Sequence, residues 1–586
     1  MQAACAVAVA RVASAAIRML LMRRSPSVVP RPWRISNSSL RHRPRPTAPG
    51  PAPICWPMCL IRLAIVATVG RALYRLPGRT PESATSPTRA RRNATHPMRP
   101  NLSLLEPPLV DRVIDEACTV LERIGVQLRD PRAVGLLAAR GLVTDAATQR
   151  LRFPRQVVDQ ALASAPQSIT LFDRDGRSAA VLEGDNVHFV PASSALHILD
   201  RRTQAIREPG SADLVEFVRL ADGLHHLAYL STAFVPRDVP QAIADAWRLY
   251  LVLAHSRSPV VSGAFTASGV PRMAELMATF RSDRAELARK PLAIFTCCPG
   301  TPLRWGEDSV ANLIDCAEWG IPVEIVPVLL LGMIAPVTTL GALVLHTAEV
   351  LSGITIAQLL RPGAPVIFGG APAAFHMRLM TNPMSAVEAL QLNCACAQVA
   401  KRLRLPCQAY MALSDAKAND PQAGMETGVG AFLAASAGIN SVSGPGVLDF
   451  VNCFSLEKLV FDDEIAGQAL HFVRPVEVRG DLPAVELIGE LVRSERLLTA
   501  PHTRRHWREE LYLPGPTVDR CNWNQWAEQG SRDWRARANA VIDQILAASV
   551  VPPLEPALDA ELRRILASDR SDGAPPLPRL AGLQRE

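Results

Sequence analysis

The chain of 586 residues has no CxxC pair and no histidine and cysteine set at zinc-ligand spacing, which removes the common structural metal frameworks. Its 12 cysteines are scattered: three precede position 98, Cys297 and Cys298 are adjacent, and Cys394 and Cys396 are two apart, a spacing that points side chains to different sides of a helix. They read as reduced, buried thiols of a cytoplasmic protein with no metal site. No glycine-rich phosphate loop follows an early strand. The near match Gly428-Val429-Gly430 falls inside a helical stretch, which argues against a nucleotide cofactor. Long apolar runs are also missing. The most apolar stretch, 325–360, is interrupted by Pro327, Pro336, His346 and Glu349 and parses as a strand, a loop and a buried helix, so no membrane span is expected.

Lysine is absent from the first 97 residues, which carry 16 Arg and one acid, hence +15; the formal +8 of the whole chain leaves −7 for residues 98–586. The body is therefore acidic, and nucleic acid is excluded as a partner. The leader mixes Pro, Ser and Arg without a helical or strand period and is expected to be disordered. Its two apolar patches, 3–22 and 54–74, are split by Arg11 and Arg18 and by Arg62 and Arg71. An Arg-rich, acid-poor start resembles a transit peptide; the favoured reading is a translation start at Met98.

From 103 to 142, Val110, Val113, Ile114, Ala117, Val120, Leu121 and Ile124 recur at helical spacing, and a strand-rich section runs on to Leu199. From about Ser211, short apolar strands (227–234, 260–265, 292–298, 323–329, 366–368, 407–413, 439–442) alternate with helices (242–254, 309–319, 341–360, 385–402, 455–472). Such alternation demands a parallel sheet covered on both faces. The expectation is an α/β fold, a closed (β/α)8 TIM barrel with one further weak strand, an open doubly wound sheet being the alternative. The implied domains are the 1–97 leader, a 98–210 α+β capping subdomain, a 211–545 barrel domain and a mobile Pro-rich tail, 546–586.

The densest polar block is Ser414-Asp415-Ala416-Lys417-Ala418-Asn419-Asp420-Pro421-Gln422-Ala423-Gly424-Met425-Glu426, where the strand at 405–413 hands over to a helix. In parallel α/β folds that edge is where ligands bind. Asp420 and Glu426 also suit a helix N-terminus, Asp420 as N-cap with Pro421 at the first helical position. Capping leaves Asp415 and Lys417 unexplained, so the block favours function.

Three segments together resemble the trimethylamine methyltransferase family of corrinoid-dependent amine methyltransferases. They are Gly332-Met333-Ile334-Ala335-Pro336-Val337-Thr338, continuing through Glu349 and Gln358 to Arg361-Pro362-Gly363-Ala364-Pro365-Val366-Ile367-Phe368-Gly369; the block above; and Ser443-Gly444-Pro445-Gly446 with Asp449 and Ser455-Leu456-Glu457-Lys458. The resemblance covers about 103–543. It implies a TIM barrel whose mouth docks a separate cobalamin (corrinoid) protein, and transfer of an amine methyl to Co(I); no cofactor would be bound tightly by this chain. Founding members insert pyrrolysine, which is absent here, so the chain is similar to the non-pyrrolysine branch and a quaternary amine such as a betaine is the implied substrate class. On this reading Asp415, Lys417 and Glu426 are the candidate catalytic residues. Tyr410, Ser414, Asp420, Gln422, Phe368, His376 and Phe295 are the candidate substrate-binding residues, aromatic faces and carboxylates being what recognises such cations. Phe265 is a further aromatic near a strand end. Lys417 pairs either with a substrate carboxylate or internally with Asp415 or Asp420. His376 stands where relatives tend to carry an acid before Met377-Arg378. The chain is also expected to be a homo-oligomer.

Two rivals stay open. A barrel hydrolase or lyase would use Lys417 for proton transfer or a Schiff base, which the nearby Asp415 and Asp420 oppose by favouring its charged form. A non-catalytic protein that binds quaternary amines or the corrinoid protein would keep the barrel without turnover.

Overall fold

The computed structural model describes residues 99–145, 147–549 and 553–567. The 1–97 leader and the question of a start at Met98 lie outside them. Eight short strands run parallel: β1 (His188–Val190), β2 (Leu230–Ser231), β3 (Val260–Ser262), β4 (Ala293–Cys297), β5 (Val323–Ile325), β6 (Val366–Phe368), β7 (Gln408–Ala409) and β8 (Ser441–Ser443). β2 to β6 form one five-stranded sheet in chain order, and β7, β8 and β1 form another. Parallel bridges Phe368↔Cys407 and Phe189↔Leu227 join the two sheets at both seams and close the barrel.

A helix follows each strand: α1 (Ser211–Asp222), α2 (Ala244–His255), α3 (Gly269–Ala278), α4 (Glu307–Trp319), α5 (Thr339–Leu360), α6 (Val387–Arg402), α7 (Pro421–Ser436) and α8 (Leu456–Phe472). This is the (β/α)8 TIM barrel, and closure removes the open-sheet alternative. Its eighth strand is His188–Val190, upstream of the expected barrel start at 211. Three residues leave no period to read, so only pairing with β8, His188↔Ser441 to Val190↔Ser443, reveals it. The 98–210 segment is therefore not a subdomain apart from the barrel.

That segment also supplies the barrel's floor. The hairpin Ile169–Phe172 with Ser178–Leu182 packs Ile169, Leu171, Ala180 and Leu182 against inward residues Val261, Ile294 and Ile367. Phe172 N–H donates to Pro291 O and Arg174 N–H to Arg257 O, residues that precede β4 and β3, so the plug sits at the N-terminal end of the strands. The opposite end is left for chemistry.

Helix α5 is the one described helix long and apolar enough to cross a membrane, and it is mostly buried inside the protein. It packs against α4, α6, helix Pro107–Arg123 and helix Arg155–Ser164, which explains why it is apolar all round. Helix Pro107–Arg123 buries Val110, Val113, Ile114, Ala117 and Leu121 as its period requires; Ile124 falls beyond the helix and is half exposed.

The tail differs from the expectation of mobility over 546–586. Helix Pro556–Ala567 buries Leu562, Ile565 and Leu566, and Tyr250 Oη donates to Asp559 Oδ1 at 2.5 Å. Residues 568–586 lie outside the described residues.

Candidate active site

Side chains alternate across a strand, so on β4 Ile294 and Thr296 point inward while Phe295 points out. Thr296 Oγ1 donates to Glu324 Oε1 at 2.6 Å, which places the central residue of β5 inside the barrel. Glu324 is fully buried and its Oε2 has no hydrogen-bond partner among the described residues. Burial lifts its carboxyl from 4.5 to about 7, the Thr296 hydroxyl partly opposing the shift. A carboxylate so placed, with one oxygen idle, costs stability unless something outside the protein answers it.

Across the barrel, β7 points Gln408 and, two residues on, Tyr410 inward. Gly370 N–H donates to Gln408 Oε1 at 3.1 Å, which fixes the amide with Nε2 free of any partner among the described residues. That arrangement requires glycine beside it: a Cβ on Gly369 would stand 2.9 Å from Gln408 Oε1 and 2.8 Å from Ile325 O. Tyr410 Oη lies 3.2 Å from Ser193 Oγ, beyond β1. Burial, then the negative charge of Glu324, holds the Tyr410 hydroxyl well above its usual range. On β8, Ser441 accepts from Tyr229 Oη at 2.8 Å inside the barrel. Ser443, two residues on, shares that face, and its Oγ has no partner among the described residues. Thr296 and Cys298 keep partial exposure, so the interior meets solvent at this end.

Arg248 on α2 is buried, donates to Thr232 O at 3.1 Å, lies 3.6 Å from Asp245 Oδ1 and stacks 4.6 Å over the Phe265 ring. Phe265 thus already carries an internal cation.

The block after β7 is occupied with itself. Asp415 accepts Met384 N–H at 3.0 Å and Ser385 N–H at 2.8 Å, pinning the turn before α6, and burial lifts its carboxyl to about 6. Glu426 Oε2 accepts Ser414 Oγ–H at 2.6 Å and Asp415 N–H at 2.8 Å, and its Oε1 accepts Gln422 Nε2–H at 2.8 Å. Asp420 caps α7 through Gln422 and Ala423 N–H. Lys417, 57% exposed, pairs with Asp449 at 3.3 Å, donates to Asp415 O at 2.6 Å and stands 3.6 Å over the Phe450 ring. The expected internal partner, the Asp415 or Asp420 carboxylate, is corrected to that of Asp449.

Two further corrections concern the aromatics and His376. Phe295 and Phe368 face the outer core, Phe368 against His346 at 5.6 Å, because strand alternation turns their neighbours inward. His376 is exposed, and its Nδ1 accepts Leu379 N–H at 3.1 Å, capping a surface turn. Of the candidates read from sequence, Tyr410 alone faces the barrel interior. Glu324 and Gln408 were missed. The signal was present: a lone acid inside the apolar strand 323–329, and an amide two residues before Tyr410.

The family model described as Trimethylamine methyltransferase (MTTB) matches residues 75–574. Glycine betaine methyltransferase of Desulfitobacterium hafniense (strain Y51) is 30% identical over 471 residues, covering 80% of this chain and 97% of that protein. Trimethylamine methyltransferase MttB of another D. hafniense strain is 26% identical over 447 residues, 76% of this chain and 90% of the relative. MttB2 of Methanosarcina mazei, a trimethylamine methyltransferase, is 29% identical over 464 residues, 78% and 92% of the two chains. Among solved structures, the monomethylamine methyltransferase MtmB of Methanosarcina barkeri aligns with 75% of this chain and 87% of its own at 10% identity and a TM-score of 0.46.

Proposed function

Because the chain belongs to the trimethylamine methyltransferase family, we propose that it takes a methyl group from a quaternary amine and passes it to the Co(I) of a corrinoid carried by a separate protein. The observation that supports this best is Glu324, a fully buried carboxyl in the barrel with one oxygen unanswered and Tyr410 close by. A quaternary ammonium is a cation that donates no conventional hydrogen bond, and a desolvated carboxylate beside an aromatic ring is the chemistry that holds it. Gln408 Nε2 and Ser443 Oγ are the donors left for a substrate oxygen, which favours a betaine over a simple tetraalkylammonium.

The reduced corrinoid supplies the nucleophile. At the substrate, the C–N bond breaks with its electron pair staying on nitrogen, so the departing amine is neutral and no proton is required. Glu324 therefore serves capture: its charge stabilises the cationic substrate more than the amine being formed. Rate must come from aiming one methyl at the open end and excluding water. Around that end, the loops after β5 and β6 expose Val337, Met377, Leu379 and Met380, and the first turn of α5 exposes Leu340, an apolar rim that suits a docking protein.

The test is calorimetric binding of a betaine and tertiary-amine panel to the full chain, with methyl transfer to reduced cobalamin followed by its spectrum. Glu324→Gln should lose both. Binding without transfer in the wild type would point to a capture protein, and transfer unchanged in Glu324→Gln would remove the carboxylate from the site.

A further inference from the structure

Apart from the barrel interior, a cavity of about 210 Å³ lies between the start of α7, the start of α8 and helix Trp534–Ala548. That volume is below the range of drug-sized ligand pockets and suits a small molecule. Its walls are partly aromatic. The Phe461 and Trp534 rings stand 5.4 Å apart at 51°, and both are half-buried, so solvent reaches the cavity past them.

The polar atoms left over in this lining are acceptors. Asp462 on α8 is 1% exposed; its Oδ2 accepts Gly446 N–H at 2.7 Å and Lys458 Nζ–H at 2.5 Å, while its Oδ1 has no partner among the described residues. Asn419 donates through Nδ2 to Ser455 Oγ at 2.9 Å and to Glu457 Oε2 at 3.4 Å, so Oδ1 is its accepting end, and that oxygen too has no partner among the described residues. A buried oxygen without a donor destabilises the fold, a carboxylate oxygen most of all.

An anion does not fit here. The start of α7 would offer one its N–H groups, but Pro421 has none, those of Gln422 and Ala423 go to Asp420 Oδ1 at 2.9 and 3.1 Å, and that of Gly424 goes to Asp420 O at 3.3 Å. Lys458, the cation in the lining, is engaged by Asp462 and by Thr427 Oγ1 at 2.7 Å. Two carboxylates, Asp420 and Asp462, against one ammonium leave the lining at −1. What fits is a cation that donates hydrogen bonds and carries an apolar body for the two rings. We propose that this cavity is a second small-molecule site, for a protonated alkylamine, its N–H on Asp462 Oδ1 or Asn419 Oδ1 and its carbon skeleton against Phe461 and Trp534. The N–H sets this ligand apart from the quaternary cation proposed for the barrel, which has none to give.

Titration calorimetry of the full chain with pyrrolidinium chloride, a compact secondary ammonium, tests this. Gly424 provides the discriminating variant: a Cβ there would meet Phe461 Cε1 at 3.7 Å, an ordinary contact, so Gly424→Leu fills the cavity while favouring the helix. The wild type should bind pyrrolidinium saturably, and Gly424→Leu should lose that binding with a denaturation midpoint at or above wild type. Trp534→Leu, which keeps the apolar contact and removes the ring face, should weaken it about two- to fivefold. Glu324→Gln should leave it unchanged, so it stands or falls separately from the barrel reading. N,N-dimethylpyrrolidinium, which has no N–H, should bind about tenfold or more weakly at this site, read as the binding that Gly424→Leu removes. A wild type with no saturable binding overturns the proposal. So does binding indifferent to Gly424→Leu, binding lost in Glu324→Gln, or equal affinity for the two cations at the site that Gly424→Leu closes.

Discussion

The block 414–426 and the barrel interior around Glu324 belong to one barrel and spend their polar atoms in opposite ways. In the block, Asp415, Asp420 and Glu426 each take backbone N–H groups, and Glu426 also holds Ser414 and Gln422. In the interior, Glu324 Oε2, Gln408 Nε2 and Ser443 Oγ are buried and have no hydrogen-bond partner among the described residues. Density of charge in a sequence marks where loops need fastening as readily as where ligands bind. Buried polar atoms left over after folding are the sharper mark, since each costs the fold something and persists for a reason. Glu349 is the control: equally buried, its carboxyl also lifted to about 7, it accepts from Thr301 Oγ1 at 2.8 Å and Leu303 N–H at 2.7 Å and has nothing left to offer.

The largest effect should separate the two regions outright. Glu324→Gln is expected to lower kcat/KM for a quaternary amine by about 2–5 kcal/mol, roughly thirtyfold or more, while the chain stays folded. Asp415→Asn, by contrast, turns an amide N–H toward one of two backbone donors and should cost about 1–3 kcal/mol of stability with little change in turnover per folded molecule. Denaturant midpoints and steady-state rates on both variants decide it. Inactive but fully stable Asp415→Asn would return the chemistry to the block.

The pH dependence is smaller and carries a definite sign. The Glu324 carboxyl is raised from 4.5 to about 7, so its contribution to stability is full below pH 4.5 and is lost as pH rises through 7. Glu324→Gln should therefore gain on the wild type above pH 7, by at most about 3 kcal/mol. Amine binding runs the other way, because the cation needs the carboxylate: wild-type affinity should fall tenfold per unit below pH 7 and flatten above it. Titration calorimetry across that range checks the slope. Glu349→Gln, if it folds, should leave the slope intact.

The barrel was legible because seven strands and five of its helices carry their own apolar period, and α7 its own N-cap with Pro421 behind it. β1 was not, since His188-Phe189-Val190 is too short to show one and is defined by pairing with β8. For the site, Tyr410 was readable as an aromatic at a strand end. Phe295 and Phe368 misled because position along a strand says how close a residue is to the mouth, and only the neighbours' contacts say which face it takes. Glu324 was visible as one acid among valines and prolines, yet nothing local distinguishes an inward carboxylate from an outward one paired with a helix. That distinction is tertiary. So is the orientation of Gln408, which depends on the Gly370 N–H and on His346 behind it: a Cβ on Gly370 would stand 2.2 Å from His346 Nε2.

Lys417 offers the smallest and most discriminating effect. It bridges the loops after β7 and β8, and its partner loop holds three successive non-glycine residues in the left-handed region, Asp449, Phe450 and Val451 at φ 50°, 55° and 69°. Such a turn is unfavourable on its own and persists only where its surroundings fix it. An exposed ion pair and a ring contact fix it weakly, together worth about 1 kcal/mol. Lys417→Ala should thus leave the melting temperature and kcat near wild type while amide exchange at 449–452 quickens and KM moves by no more than about fivefold, the equivalent of that energy. If instead Lys417→Ala abolished transfer as Glu324→Gln is expected to do, the exposed ammonium would be meeting substrate, and the contrast between a fastened rim and an idle interior would fail at its weakest fastening.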